Sequence, residues 1–239
     1  MDNHVILLRV NQYINHHTQK DRNTLYEGDP SWIDIRLDWL EKYLLYNFQN
    51  QQDKDLWCFM LSDPETPKQY KTKIKDYEKL GFVKIIETNH GDGDDYSNKL
   101  ILDTYKNVRK NNNNEIICSR LDTDDMVGPY WNVAVKQLLK ENKRISLETV
   151  LLYNFINKEK RIIKFSKGSF VSTKSNLDNW DNPRSFQHGN SNALSVDTDY
   201  PLVCMGIHNN NVTNQNWWSA GKPIQIQDDI FNQMFKIKE

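Results

Sequence analysis

The chain has 239 residues, 31 basic and 32 acidic side chains and a net charge of −1. That balance excludes a protein built to coat nucleic-acid phosphates, which needs a large basic surplus, and 11% aromatic residues are too many for a disordered segment. Cys58, Cys118 and Cys204 cannot all pair and form no CxxC, so neither a disulfide scaffold nor a zinc knuckle is expected, and a reducing, cytoplasmic setting is. No run approaches the roughly 20 apolar residues of a membrane span. Val5–Val10, interrupted by Arg9, is too short for a signal-peptide core.

In chain order, Val5–Val10 reads as a first buried strand. Gly28, Asp29 and Pro30 form a turn cluster, and Ser31 is placed as the N-cap of a helix bearing Trp32, Ile35, Trp39, Leu40, Tyr43, Leu44 and Phe48 on one face. Leu56–Leu61 is a second strand, residues 67–80 a helix, Phe82–Glu87 a third strand and Asn98–Val108 a helix. Glu115–Leu121 is a fourth strand, apolar enough for the middle of a sheet, and a helix runs from Pro129 to about Asn142. Strand and helix alternate through the first 140 residues, which is the signature of a mostly parallel sheet with crossover helices.

The rhythm then changes. Thr149–Phe155 and Arg161–Phe165 read as a hairpin. A loop-rich stretch from Ser175 to Pro201, a strand at Leu202–Ile207 and an amphipathic helix at Asp228–Ile237 complete the chain. The expectation is a single α/β domain, 1–239, with a regular half over 1–142 and an irregular, antiparallel half over 143–239.

The most informative stretch is Ser119-Arg-Leu-Asp-Thr-Asp-Asp125. It places Asp122, Asp124 and Asp125 directly after a buried strand, where ligands of open α/β sheets bind. Crowded carboxylates raise one another's pKa, and a hard divalent cation, Mg²⁺ or Mn²⁺, removes that penalty. The D-x-D spacing in an extended segment turns Asp122 and Asp124 to the same side, one for the metal and the other for water or a ribose hydroxyl. A solvated acidic turn leading into the next helix is the plain alternative. An EF-hand is excluded because Val127 stands where the loop needs glycine.

Arg9-Val-Asn11, Trp39-Leu40, Asp63 with Thr66-Pro67, and the Arg120-Leu-Asp-Thr-Asp-Asp125 block together resemble the family of putative rhamnosyltransferases, in which RFN and TRLDxDD segments recur. Val10 and Ser119 replace the usual Phe and Thr. Met205-Gly-Ile-His-Asn-Asn-Asn-Val212 is similar to that family's late VVHGxNV segment. The resemblance implies a GT-A-like glycosyltransferase that uses a nucleotide-sugar donor and Mn²⁺ or Mg²⁺. It implies that 1–142 binds the donor and 143–239 a glycan or lipid-linked saccharide acceptor. The apolar side chains of the tail helix, Ile230, Phe231, Met234 and Phe235, are read first as core packing, with peripheral membrane contact as the alternative. The metal ligands it implies are Asp122, Asp124, Asp125 and His208, and the nucleotide-sugar contacts are Arg9, Asn11, Asp63, Arg120 and Asp122. Arg120, taken from the residues, is read first as the partner of a structural carboxylate, Asp124 or Asp125, and Asp63 equally as an Asp-Pro turn.

An inverting transferase needs a general base. Asp178 and Asp181 are the first candidates, with Trp180 between them as a sugar platform, and His188, Asp197 and Asp199 are others. The family often carries glutamate near the position of Lys174, so this chain departs there. Trp217-Trp218 is read as core or as a sugar platform. Rival functions are a metal-dependent phosphohydrolase or nucleotidyltransferase, and a non-catalytic carbohydrate-binding protein.

Overall fold

A computed structural model describes residues 4–11, 30–88, 95–110, 113–165, 170–185, 192–207 and 218–237. The chain divides into two compact units of interleaved segments. One comprises Met1–Asp38, Asp55–Thr123 and Thr173–Phe186; the other comprises Trp39–Lys54, Asp124–Ser172 and Gln187–Glu239.

The first unit is built on parallel strands β1 (His4–Asn11), β2 (Leu56–Ser62), β3 (Val83–Glu87) and β4 (Glu115–Leu121). Their nearly continuous apolar sequences suit strands covered on both faces, and Val5, Ile6, Leu7 and Leu8 of β1 are all fully buried. The spatial order is β4-β1-β2-β3, with β9 (Val171–Asn176) on the far side of β4. The chain thus builds outward from β1 in one direction and then returns to add β4 on the other side. That reversal makes the β1–β4 seam the switch point, outside whose carboxyl ends ligands of such sheets bind.

Among the described residues this unit holds the helices α1 (Pro30–Trp39), α3 (Lys68–Asp76) and α4 (Asp95–Val108). A 3-10 turn, Tyr77–Leu80, follows α3 and closes on Gly81 at φ +81°, a left-handed conformation in which glycine carries no steric penalty. Val5, Leu7, Phe59, Leu61, Ile86, Ile101, Tyr105 and Ile116 form the core on one face of the sheet. Each such side chain contributes about 1.5–3 kcal/mol by leaving water.

The second unit holds a sheet of order β12-β8-β7-β11-β5. Its strands are β5 (Asp125–Val127), β7 (Thr149–Asn154), β8 (Lys160–Lys164), β11 (Val203–Ile207) and β12 (Lys222–Pro223). The β7–β8 hairpin is antiparallel as expected, but β11 pairs β7 in parallel. β6 (Arg144–Leu147) and β10 (Leu194–Val196), at the end of the seven-stranded sheet, pair with each other in parallel as well. The later half is therefore mixed, not purely antiparallel, because long connections return these strands in the same direction.

A π-helical stretch, Leu40–Leu45, and α2 (Tyr46–Gln49) lie in this unit with α5 (Trp131–Leu138) and α6 (Asp228–Met234). Tyr43, Met126, Leu151, Tyr153, Cys204, Phe231 and Phe235 form its core. The apolar face of α6 is therefore used in packing, with Phe231 and Phe235 buried and Ile230 left exposed. Among the described residues no helix is long and apolar enough to cross a membrane. The α/β class with a mostly parallel central sheet is the class expected from the sequence.

Candidate functional site

Parallel pairing of β4, β1 and β2 brings their carboxyl ends to one side. Register sets the positions: Leu8 lies opposite Leu121, so Arg9 and Asp122 are the next residues along two adjacent strands. Arg9 Nη2 approaches Asp122 Oδ1 at 3.8 Å, with the Asp122 side chain 34% exposed. Asn11 pairs through its backbone with Ser62, and its side chain lies outside the described residues. Asp63, immediately beyond β2, accepts the Glu65 N–H at 2.7 Å, while its carbonyl accepts the Thr66 N–H at 3.0 Å. This is an Asx-type turn, so the Asp-Pro turn is present and the carboxylate already has a local role.

Arg184 has no counterpart among the sequence candidates. Its side chain is wholly buried and its Nη2 lies 3.5 Å from Asp122 Oδ1. Its Nη1 donates to the carbonyls of Leu7 at 3.0 Å and Leu121 at 3.1 Å. The only sequence signal for it is an arginine in the loop-rich stretch after the second-half strands.

Arg120 is buried on β4. Asp124 and Asp125 fall in the second unit and are buried, at 5% and 6% exposure. Asp125 opens β5 opposite Met205, and the Asp124 carbonyl accepts the Gly206 N–H at 3.0 Å. Between Asp122 and Asp124, Thr123 is fully buried and its Oγ1 has no hydrogen-bond partner among the described residues. His208 follows β11 directly and lies outside the described residues.

Asp122, Asp124 and Asp125 offer carboxylate oxygens, and Mg²⁺ or Mn²⁺ takes one or two of these and fills its shell with water and phosphate oxygens. Among the described residues no three His, Cys, Asp or Glu side chains gather into a ready-made cage. The partly exposed Asp122 at the strand end suits an ion that arrives with a diphosphate. Among the described residues, Asp122 carries that fit.

The two candidate bases separate. Asp178 is exposed and accepts from Asn114 Nδ2 at 2.8 Å, beside the start of β4. β4 has seven residues, so at roughly 3.3 Å per residue Asp178 stands about 23 Å from the Asp122 end. The chain from Leu177 then turns back along the sheet to reach Arg184 at that end. Asp181 lies on the way, its carbonyl accepting from Thr173 Oγ1 at 2.7 Å and its N–H donating to Ser175 Oγ at 3.0 Å. The Cys118 thiol of β4 is pushed up by burial, drawn down by Arg184 and raised again by Asp181, so all three are electrostatic neighbours.

Lys174 pairs with Glu115 at 3.1 Å, at the amino end of β4. The departure from the family pattern at this position therefore lies away from Asp122. Trp180 is partly buried against the core of the first unit, with its Nε1 buried. Asp197 accepts bonds from Lys164 and Thr149, and the Lys164 bond is the main cause holding its carboxyl below the ordinary range. Asp199 is exposed. His188 and Trp217 lie outside the described residues, and Trp218 stacks under the Arg161 guanidinium at 4.4 Å.

Residues 7–199 match the family model described as putative rhamnosyl transferase. The chain belongs to that family. The match takes in Arg9, Asp63, the Asp122–Asp125 block and Asp181, and it ends before the Met205–Val212 segment. Among curated proteins no sequence match was found. Similar solved structures include S. aureus TarS, at 9% identity and a TM-score of 0.45, covering 92% of this chain and 38% of that one. GalNAc-T7 with UDP, GalNAc and Mn²⁺ is similar at 8% identity and a TM-score of 0.46, covering 89% of this chain and 45% of its own. The glycosyltransferase GlyE of Streptococcus pneumoniae is similar at 10% identity and a TM-score of 0.40, covering 95% and 66%. This chain spans less than half the length of the first two.

Proposed function

We propose that the chain is a glycosyltransferase that moves a sugar from a nucleoside diphosphate sugar to a glycan, polysaccharide or lipid-linked saccharide acceptor. Rhamnose is the donor sugar in this reading, on the family's description. The observation that carries it is the placement of Asp122 at the carboxyl end of β4, beside the β1–β4 switch point, with Arg9 and Arg184 on its Oδ1. A carboxylate there suits a ribose hydroxyl or a donor-borne metal, and Arg9 suits a phosphate oxygen. Asn11, Asp63 and Arg120 complete the donor contacts. When bound, Mn²⁺ or Mg²⁺ on Asp122, Asp124, Asp125 and His208 would act as a Lewis acid on the charge developing at the departing diphosphate.

The acceptor hydroxyl must lose a proton, and Asp181 is the preferred base because Asp178 is bonded at the other end of β4. The whole chain works as one domain in this reading, with 1–142 serving the donor and 143–239 the acceptor. Cys58, Cys118 and Cys204 are free and buried, which suits work in the cytoplasm.

Titration calorimetry with Mn²⁺ and UDP, GDP, dTDP and CDP tests the reading and identifies the base of the donor. One nucleoside diphosphate is expected to bind, and failure of all four overturns the proposal. Phosphate release from simple esters without an acceptor would point instead to a phosphohydrolase.

A further inference from the structure

Arg184 sits in a one-turn 3-10 segment, Pro183–Ser185, and its guanidinium is wholly buried. A buried guanidinium is costly unless its N–H groups find acceptors and its charge finds a partner. Here Nη1 serves Leu7 O and Leu121 O, while Nη2 faces Asp122 Oδ1. Leu7 and Leu121 belong to adjacent strands, and Asp122 follows Leu121 directly. The planar fork therefore fixes the strand seam and the direction of the carboxylate together, which a single ammonium cannot do. The backbone of Arg184 is fixed as well. Its N–H donates to Asn182 Oδ1 at 2.9 Å, and Asn182 Nδ2 donates to Asn98 Oδ1, at 2.8 Å, in the first turn of α4.

We propose that Arg184 is a positioning residue for the transfer reaction: it aims the Asp122 carboxylate at the donor and acts on the donor only through Asp122. The inference rests on the donor-binding reading of Asp122 given above. Arg9, partly exposed, lies 3.8 Å from the same oxygen.

The test is a double-mutant cycle of Arg184→Lys with Asp122→Asn. Lysine keeps the charge and can reach the two strand carbonyls, but it lacks the second arm of the fork. With a thermal midpoint near wild type, Arg184→Lys is expected to weaken nucleoside diphosphate binding in the presence of Mn²⁺, and donor turnover, by about tenfold each. In the Asp122→Asn background the same change is expected to do little. Additive losses in the two backgrounds overturn the proposal, because a merely structural arginine would produce them. If the lysine variant does not fold, Asn182→Ala, which loosens the Arg184 backbone and leaves its guanidinium, is expected to show the same non-additivity in smaller measure. Additivity there is equally fatal. If wild type binds none of UDP, GDP, dTDP or CDP, the donor reading falls by itself. A crystal structure of Arg184→Lys then decides: a turned Asp122 carboxylate over an intact β1–β4 seam supports positioning, and an unmoved one overturns it.

Discussion

The peptide N–H of Gly206 donates to the carbonyl of Asp124 at 3.0 Å, and a Cβ built on Gly206 would stand 2.4 Å from that same oxygen and 2.5 Å from the Phe155 ring. The acidic segment can lie against β11 only because residue 206 has no side chain. Phe155 cannot easily yield, since it stacks on Tyr43 with ring centroids 4.5 Å apart and planes 7° from parallel. Gly206→Ala is therefore expected to cost about 1–3 kcal/mol of stability, the range of core overpacking. Denaturant melts against wild type measure it, and an unchanged midpoint would show that the contact relaxes freely.

Asp122 and Asp124 both matter for turnover. Asp122→Asn is expected to lower the melting temperature, because it takes the charge from the partner of the buried Arg184 guanidinium, and to cut donor turnover at least about a hundredfold, as loss of a charge-stabilising group does. Asp124 is 5% exposed, and Asp124→Ala is expected to lower both turnover and stability. EDTA should reproduce the turnover loss without unfolding. Sugar-nucleotide turnover that survives EDTA and Asp124→Asn would remove the metal from the mechanism.

A comparison of two neighbouring carboxylates locates the base. Asp181→Asn is expected to reduce transfer by about 10²–10⁴-fold, the usual worth of general-base catalysis. Asp178→Asn, altering a group bonded to Asn114 at the opposite end of β4, should leave transfer within about twofold of wild type. The reverse ranking in a steady-state assay would move the active centre.

The Asp197 pair gives a pH signature. Lys164 holds the Asp197 carboxyl below its ordinary range, with Thr149 adding a second bond. A depressed carboxyl contributes stability that is present above its unfolded-state pKa and is lost as pH falls through the folded value. The small melting-temperature difference between wild type and Asp197→Asn should therefore hold at neutral pH, fade in acid below the ordinary carboxylate range and shrink with salt. A difference that grows on acidification would contradict the pairing.

Much of the frame was legible because it rests on local pattern. Glu115–Leu121 is a strand in the structure over the same residues that its apolar run marks, and the Thr149 hairpin shows in its two apolar runs and polar turn. The short strands were not legible. β5 is three residues of an acidic segment, and β9 reads Val-Ser-Thr-Lys-Ser-Asn, with too little apolar periodicity to announce a strand. Both are strands because a neighbour supplies the pairing. Asp122 was legible for its place after a buried run, whereas Arg184 was not. Nothing near it in the sequence tells that its guanidinium will cap two carbonyls contributed by residues more than sixty positions away. The partial packing of Trp180 against the core of the first unit was illegible for a related reason, since two flanking aspartates do not announce it.

The return of Thr173–Phe186 to the first unit has a consequence for biosynthesis. A ribosome that has released residues 1–142 has delivered all four parallel strands but neither β9 nor the arginine that ties β1 to β4. At roughly 5–20 residues per second, the nascent sheet waits a few seconds with the flank of β4 uncovered, a template for misplaced strands. Chaperone dependence in this chain should therefore fall sharply once Arg184 has cleared the exit tunnel.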